Sequence, residues 1–219
     1  MQNRHLILFA RAPRFGAVKT RLARDIGPLT AFRFYRNTLN DLIRRLNATP
    51  GFDLSVAVTP DEVLTDGAGP VFSNVHLVAQ GRGSLGQRMA RALRYFGNSP
   101  TIIVGSDIPE ISSAEIDDAF AKLTDHDAVF GPAEDGGYWL IGLKQPTRQP
   151  PGFLKNVRWS TEYTLSDTLS TLPSRYKVAL TAPLDDIDDG PSYMAWQTNK
   201  KTDKRRKKLG AADKRRVVS

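Results

Sequence analysis

The chain has 219 residues, no cysteine and a formal net charge of +8. A chain of this length suits one domain that buries roughly 70% of its unfolded surface, and the lack of cysteine excludes disulfides and thiolate metal sites. We expect a cytoplasmic protein without a membrane partner, because no apolar run approaches the ~20 residues that span a bilayer and the N-terminus lacks a signal-peptide core.

The net positive charge belongs to the end of the chain. Residues 200–219 carry ten Lys and Arg against two Asp, whereas residues 1–199 carry 21 basic and 21 acidic side chains. We therefore divide the chain into a domain at 1–199 and a basic tail at 200–219. The tail has no aromatic residue on which bases could stack, so we predict no specific nucleic-acid partner.

Predicted strands and helices alternate along the domain. Strands are predicted at 5–10, 54–59, 75–79, 101–105, 127–130, 138–143 and 176–180, and helices at 30–46, 84–96, 113–123, 161–171 and from 192 onward. Continuous apolar strands in such an alternation predict an α/β fold, an open and mostly parallel sheet with helices on both faces. Ligands bind such sheets at the carboxyl ends of the strands, where the loops beginning at Arg11, Ser106 and Gly131 are expected.

The loop after the first strand has the composition of a phosphate site. Residues 11–22 contain no acid, and they hold a glycine and four cations, namely Gly16, Arg11, Arg14, Lys19 and Arg21. Glycine lets the backbone approach an anion, and the cations neutralise a di- or triphosphate. The alternative is a solvated loop whose charges only keep the protein soluble.

A carboxylate directly follows the apolar strand at 101–105. Asp107 lies in the sequence Gly-Ser-Asp-Ile-Pro, in which Pro109 stiffens the turn. A carboxylate there can hold Mg²⁺ or Mn²⁺, which prefer oxygen ligands and bridge to substrate phosphates. Asp107 could equally bond the N–H groups of the turn or cap the next helix.

The segment 131–142 combines acids, glycines and aromatic residues. Its Asp-Gly dipeptide predicts a tight hairpin. A hairpin is compatible with a site, since Gly136 and Gly137 allow a bound sugar or small acceptor to approach, and Glu134 or Asp135 could accept its hydroxyls.

Four carboxylates lie close together near the end of the domain, at 185–189. The Asp-Gly-Pro sequence at 189–191 indicates a solvated turn. The pair Asp186 and Asp188 follows a predicted strand, however, and could supply a second metal ligand, for which we single out Asp188.

Six motifs occur in an order that resembles a known family. They are FARAPRFGAVKTRL (9–22), LGQRM (85–89), GSDIP (105–109), GPAEDGGYWLIGL (131–143), WST (159–161) and DID (186–188). Over about residues 5–195 the chain resembles a bacterial glycosyltransferase-A-like (GT-A-like) family of largely uncharacterised transferases, some found beside radical-SAM genes and named as arsenosugar-pathway glycosyltransferases. It is more distantly similar to the guanylyltransferases of molybdenum-cofactor and phospholactate metabolism.

The resemblance implies a nucleotide-diphosphosugar-transferase (GT-A) fold and a set of roles. Lys19 and its arginine neighbours would bind phosphates, Gly86 would lie near the nucleobase and Asp107 would hold the metal. From the same motifs we assign Arg88 to the nucleotide and Trp159, with the 135–137 segment, to the acceptor. The family's last motif usually continues Thr-Pro-Glu-Asp, but here residues 189–192 are Asp-Gly-Pro-Ser, which puts the last helix start and the second acid in question.

Three functions agree with these residues. The first is a glycosyltransferase that uses a nucleotide-diphosphosugar, Mg²⁺ or Mn²⁺ and a small-molecule acceptor, with Lys19 and Asp107 as catalytic residues. The second is a nucleotidyltransferase that releases pyrophosphate from a nucleoside triphosphate, which a loop with four cations suits somewhat better. The third is an inactive binding protein of the same fold. The sequence indicates no oligomeric state.

Overall fold

Seven strands form one sheet in the computed structural model, which describes residues 3–67 and 69–202. The strands are His5–Arg11 (β1), Asp53–Thr59 (β2), His76–Ala79 (β3), Thr101–Gly105 (β4), Ala128–Pro132 (β5), Tyr138–Leu143 (β6) and Val178–Leu180 (β7). Their order across the sheet is β3-β2-β1-β4-β6-β5-β7. Among these strands only β6 runs antiparallel to its neighbours. The mostly parallel α/β sheet predicted from the sequence is therefore confirmed.

Seven α-helices connect and cover the strands in the described part of the chain, beside two short 3-10 helices at Pro70–Phe72 and Pro146–Arg148. The α-helices are Thr20–Ile26 (α1), Pro28–Asn47 (α2), Val63–Asp66 (α3), Leu85–Leu93 (α4), Ser113–Lys122 (α5), Thr164–Ser170 (α6) and residues 190–202 (α7). The sequence predicted five of them. Helices α1 and α3 lie where the sequence predicts loop. The prediction of loop for the whole segment 11–22 is therefore wrong from Thr20 onward.

Side chains that alternate along the strands supply two apolar layers, one on each face of the sheet. On one face, Leu6 and Leu8 of β1 pack with the buried stripe of α2 and with α5. On the other face, Ile7 packs with Met89 and Leu93 of α4 and with the apolar side of α6. This period of two in the strands is what permits both faces to carry helices.

The last helix begins at a capping aspartate. The backbone N–H of Ser192 donates to the Asp189 carboxylate at 2.9 Å, and the Asp25 carboxylate accepts the N–H of Gly190 at 2.7 Å. These bonds provide the helix start that the departure at 189–192 had put in question. Helix α7 continues past residue 199, and most of the tail predicted at 200–219 lies outside the described residues.

Among the described helices, none is both long and apolar enough to cross a membrane.

Candidate active site

The loops after β1 and β4 meet because these strands are parallel neighbours. Phe9 of β1 is in register with Gly105 of β4, so the residues after both strands emerge at the same edge of the sheet. The segment from Arg11 to Lys19 therefore lies beside Ser106 and Asp107, as the sequence predicted.

The two carboxylates at 186 and 188 reach the same edge along an extended segment that follows β7. Its backbone continues beside β5, with the N–H of Leu184 donating to the carbonyl of Pro132 at 3.2 Å. Ile187 is buried and packs with Leu22 of α1 and with α2. In an extended chain, residues i and i+2 face the same side. Burial of Ile187 therefore turns both Asp186 and Asp188 away from the core and toward the loop after β1.

The Lys19 ammonium lies among three carboxylates. Its Nζ atom is 2.8 Å from Asp107 Oδ2, 3.4 Å from Asp186 Oδ2 and 2.5 Å from Asp188 Oδ1. The Lys19 side chain is only 5% exposed, and its backbone is left-handed with φ 48°. A lysine in that conformation carries strain that the surrounding contacts must hold. The three carboxylates are the contacts that fix this side chain.

The electrostatics of this cluster follow from burial and proximity. Burial opposes the charge of Lys19, but the three carboxylates outweigh it and raise its pKa above the ordinary value. Burial, with the neighbouring Asp107 and Asp188, raises the pKa of Asp186 to about 6 despite Lys19. Partial burial also works against the charge of Asp188, yet Lys19 and Arg21 lower its pKa. The cluster thus concentrates negative charge around one cation.

The same carboxylates have the chemistry of a divalent-metal site. Asp107, Asp186 and Asp188 each offer an oxygen, and these oxygens lie within 4.8 Å of one another. Hard carboxylate oxygens are the ligands that Mg²⁺ and Mn²⁺ prefer. The residues therefore fit the metal expected from the sequence, with Asp186 as a third member beside the predicted Asp107 and Asp188.

A cavity of about 560 Å³ opens on the cationic side of the cluster. The residues that line it are Arg11, Ala17, Val18, Lys19, Thr20, Arg21, Arg24, Tyr35, Ser106, Asp107 and Asp188. Three of the four predicted cations, Arg11, Lys19 and Arg21, are in this wall. Arg14 and Gly16 are exposed and outside it. Gly16 has φ +76°, which explains a glycine in this turn without a ligand.

Two residues of this cavity, Arg24 and Tyr35, lie outside the six sequence motifs. Arg24 lies one helical turn after Arg21, a spacing that would have indicated a shared face had α1 been predicted. Tyr35 is buried on α2. Its hydroxyl donates to the carbonyl of Arg11 at 2.7 Å, accepts the N–H of Arg11 at 3.1 Å and lies 3.2 Å from Ser106 Oγ. Tyr35 thereby joins the ends of β1 and β4, and no local pattern indicates such a contact.

A second cavity of about 210 Å³ lies on the other side of the carboxylates. Asp107 lines both cavities, and Asp135, Gly137 and Trp159 line the second, which is where the sequence predicts the acceptor. Gly136 is outside this wall. A Cβ on Gly136 would lie 2.2 Å from the carbonyl oxygen of Glu162, so this glycine allows contact with the protein's own backbone.

The predicted nucleotide residues Gly86 and Arg88 lie on α4, and neither lines the two cavities. Gly86 is buried against Leu154 and the ring of Trp159. Arg88 donates to the Gln80 side chain at 2.5 Å, and burial together with Arg11 lowers its pKa despite Asp61. The contact of Gly86 with a nucleobase remains a prediction, whereas its packing against Trp159 is part of the structure.

Gly86→Ala is expected to destabilise the protein by about 2 kcal/mol, or roughly 4–8 °C in melting temperature. The added Cβ would lie 2.4 Å from the carbonyl oxygen of Leu154 and 3.1 Å from the Trp159 ring, so α4 or this ring must shift. Thermal unfolding followed by tryptophan fluorescence measures the fall in melting temperature and also the change in Trp159 emission that a shift of its ring would cause. A variant with unchanged melting temperature and emission would contradict this packing.

A family model described as "Uncharacterized protein conserved in bacteria (DUF2064)" matches residues 42–161, more than half of the chain. The chain belongs to this family. The matched segment contains Asp107, the 135–137 turn and Trp159, while Lys19 and the 186–188 carboxylates lie outside it. No curated protein matches the sequence.

Solved structures share the fold. A protein from Desulfovibrio desulfuricans G20, described provisionally as a nucleotide-diphospho-sugar transferase, is 28% identical with a TM-score of 0.73, and the match covers 86% of this chain and 84% of that one.

Two enzymes are similar in fold alone. The 4-diphosphocytidyl-2C-methyl-D-erythritol synthase of Anaerococcus prevotii is 8% identical with a TM-score of 0.57, over 88% of this chain and 95% of that one. Glucosyl-3-phosphoglycerate synthase from Mycobacterium tuberculosis, solved with Mn²⁺, UDP and glucosyl-3-phosphoglycerate, is 10% identical with a TM-score of 0.54, over 89% and 75%. The predicted nucleotide-diphosphosugar-transferase fold is confirmed, and the 28% identical structure supports a transferase of the GT-A type.

Proposed function

We propose that this protein is a divalent-metal-dependent glycosyltransferase that uses a nucleotide-diphosphosugar and a small-molecule acceptor. The observation that carries the proposal is the cluster of Lys19 with Asp107, Asp186 and Asp188, which lies between a cationic cavity and an aromatic one. Such an arrangement suits a diphosphate on one side of the cluster and an acceptor on the other.

In this proposal the cationic cavity binds the donor. Arg11, Lys19 and Arg21 would contact the diphosphate, and Arg24 extends the same wall. These cations would neutralise the charge that grows on the leaving nucleoside diphosphate, which commonly contributes several kcal/mol to lowering a barrier. Because Tyr35 joins Arg11 to Ser106, the loop after β1 is held in place beside Asp107 before substrate arrives.

The residues that would hold Mg²⁺ or Mn²⁺ are Asp107 and Asp188, with Asp186 beside them. A divalent ion supplies charge neutralisation at the diphosphate. In the transfer itself, a hydroxyl oxygen of the acceptor forms a bond to the anomeric carbon of the sugar. The bond from that carbon to the diphosphate breaks, its electron pair leaves with the nucleoside diphosphate, and the hydroxyl proton passes to a base such as the Asp135 carboxylate.

A nucleotidyltransferase is the second candidate. The four cations of the first cavity, Arg11, Lys19, Arg21 and Arg24, suit the higher charge of a triphosphate. In that reaction the acceptor would attack the α-phosphorus and pyrophosphate would leave. An inactive binding protein is the third candidate, but binding alone would not require Lys19 together with three carboxylates.

A panel of nucleotides and nucleotide-sugars with Mg²⁺ or Mn²⁺ tests the proposal. A bound ligand at 100 times its dissociation constant should stabilise the protein by about 2.7 kcal/mol, a rise of roughly 5–10 °C in melting temperature. Release of nucleoside diphosphate supports glycosyl transfer, and release of pyrophosphate supports the second candidate. If no member of the panel raises the melting temperature with metal, the assignment of the cationic cavity is wrong.

A further inference from the structure

The cavity of about 210 Å³ beside the carboxylates differs in chemistry from the donor cavity. Its wall is largely apolar and aromatic, with Leu85, Met89, Tyr138 and Trp159, and its charged members are carboxylates, with Asp135 added to Asp107 and Asp186. Among the described residues that line it, none is lysine, arginine or histidine. We name this the acceptor cavity.

The charges around the acceptor cavity disfavour an anion within it. Lys19 is bonded to Asp107, Asp186 and Asp188. Arg158, which precedes Trp159 in the chain, is paired with Asp167. A bound divalent ion and Lys19 would together balance the three carboxylates, which leaves no excess positive charge to attract an anion. Asp135 has no cationic partner among the described residues, since its carboxylate accepts only the N–H of Gly137, at 2.8 Å. A phosphate or carboxylate placed here would meet the unpaired negative charge of Asp135 in a wall that offers no cation.

The loop that carries Trp159, a residue of the aromatic wall, contains three residues with left-handed backbone. Leu154, Asn156 and Ser160 have left-handed φ angles of 57–60°, and they lie in the loop that carries Trp159. Such positions persist only when surrounding structure holds them, and they concentrate at binding sites. The Trp159 ring contacts Gly86 and lies 6.4 Å from the Tyr138 ring, edge to face. The cavity, of about 210 Å³, has room for roughly one ring beside these side chains.

We infer that the acceptor is a small uncharged hydroxyl compound with an apolar or aromatic face, and that anionic acceptors are excluded. This inference rests on the proposed function, which assigns this cavity to the acceptor. The apolar face packs on Trp159, while Asp135 is free to accept the hydroxyl. An uncharged hydroxyl acceptor favours glycosyl transfer, because nucleotidyl transfer to a phosphate acceptor would bring an anion into this wall.

Three one-ring probes test the inference without a donor. We expect benzyl alcohol to bind with a millimolar dissociation constant in ligand-observed NMR, and benzoate and benzyl phosphate to bind at least tenfold more weakly. Trp159→Ala should weaken benzyl alcohol at least fivefold. Asp135→Asn should reduce the difference between the dissociation constants of benzyl alcohol and benzoate, because the negative charge that repels benzoate is removed. The matched control is Asp117→Asn, on the exposed side of α5, which should leave this difference unchanged.

The outcomes separate this inference from the proposed function. Equal or tighter binding of either anion, or no binding of benzyl alcohol at millimolar concentration, would overturn the inference. Retention of benzyl alcohol by Trp159→Ala would do the same. None of these results depends on the nucleotide panel, so the donor assignment can fail while the preference of this cavity for uncharged rings stands, and the reverse.

Discussion

Asp107→Asn is expected to lose metal-dependent turnover by at least about 100-fold while the protein still folds. Changes to residues that merely support metal ligands typically cost 10–100-fold, and the loss of a ligand charge should cost no less. Asparagine keeps the size and one oxygen of Asp107, and Lys19 keeps Asp186 and Asp188 as partners. The measurements are turnover against Mg²⁺ or Mn²⁺ concentration and the affinity for Mn²⁺ followed by electron paramagnetic resonance.

The control for this variant is Asp117→Asn, the same change on an exposed helical position. It should leave turnover and Mn²⁺ affinity at the wild-type level. Wild-type behaviour of Asp107→Asn at ordinary metal concentration would make Asp107 a turn residue and would leave the metal to the pair Asp186 and Asp188.

Lys19→Met is expected to weaken nucleotide binding by about 1.5–3 kcal/mol, or roughly 10- to 150-fold, because hydrogen bonds to charged groups are lost. The change should also lower stability in the presence of a chelator. Removing one partner of a buried ion pair costs about 3–5 kcal/mol, but the three carboxylates are 30–42% exposed. We therefore expect about 2 kcal/mol, a fall of roughly 4–8 °C in melting temperature.

Mn²⁺ should restore more stability to Lys19→Met than it adds to the wild type, since the ammonium and the divalent ion compete for the same oxygens. Arg21→Met is the matched control. Its guanidinium is 3.2 Å from Asp188 but its side chain is 72% exposed, and exposed pairs contribute at most about 1 kcal/mol. A Lys19→Met protein that melts like the wild type in chelator would contradict the structural role of this lysine.

The fold could be predicted because its signals are local. Strands such as Thr101–Gly105 are continuous apolar runs, and the buried stripe of α2 repeats over about four turns. Helix α1 could not be predicted from the sequence, because it has only seven residues and one fully buried side chain, Leu22, which is too few to give a helical pattern. Its position is stabilised by packing on α2, which is a tertiary contact rather than a pattern in the sequence.

The candidate site was predictable only in part, for a similar reason. Each member follows a strand, so the sheet edge could be predicted, but the pairing of Lys19 with carboxylates 88 to 169 residues away depends on how the loops fold back. The contacts of Tyr35 are indicated by no spacing, and the Asp-x-Asp spacing at 186 and 188 indicates only that these two side chains share a side. Gly86 shows that one residue can fit two explanations. A glycine in a motif suggests close approach of a ligand, but close packing against Trp159 by itself requires a glycine here.

The site residues are far apart in the sequence, so the ribosome adds them to the chain at very different times. The loop after β1 is among the first segments to leave the ribosome, but Asp186 and Asp188 are added only after seven strands have been made. Domains fold as units during or after synthesis. A nascent or prematurely terminated chain that ends before residue 186 has the cations of the first loop but two of its three partner carboxylates are missing. Such a chain cannot form the cluster of Lys19 with three carboxylates on which the proposed transferase activity rests.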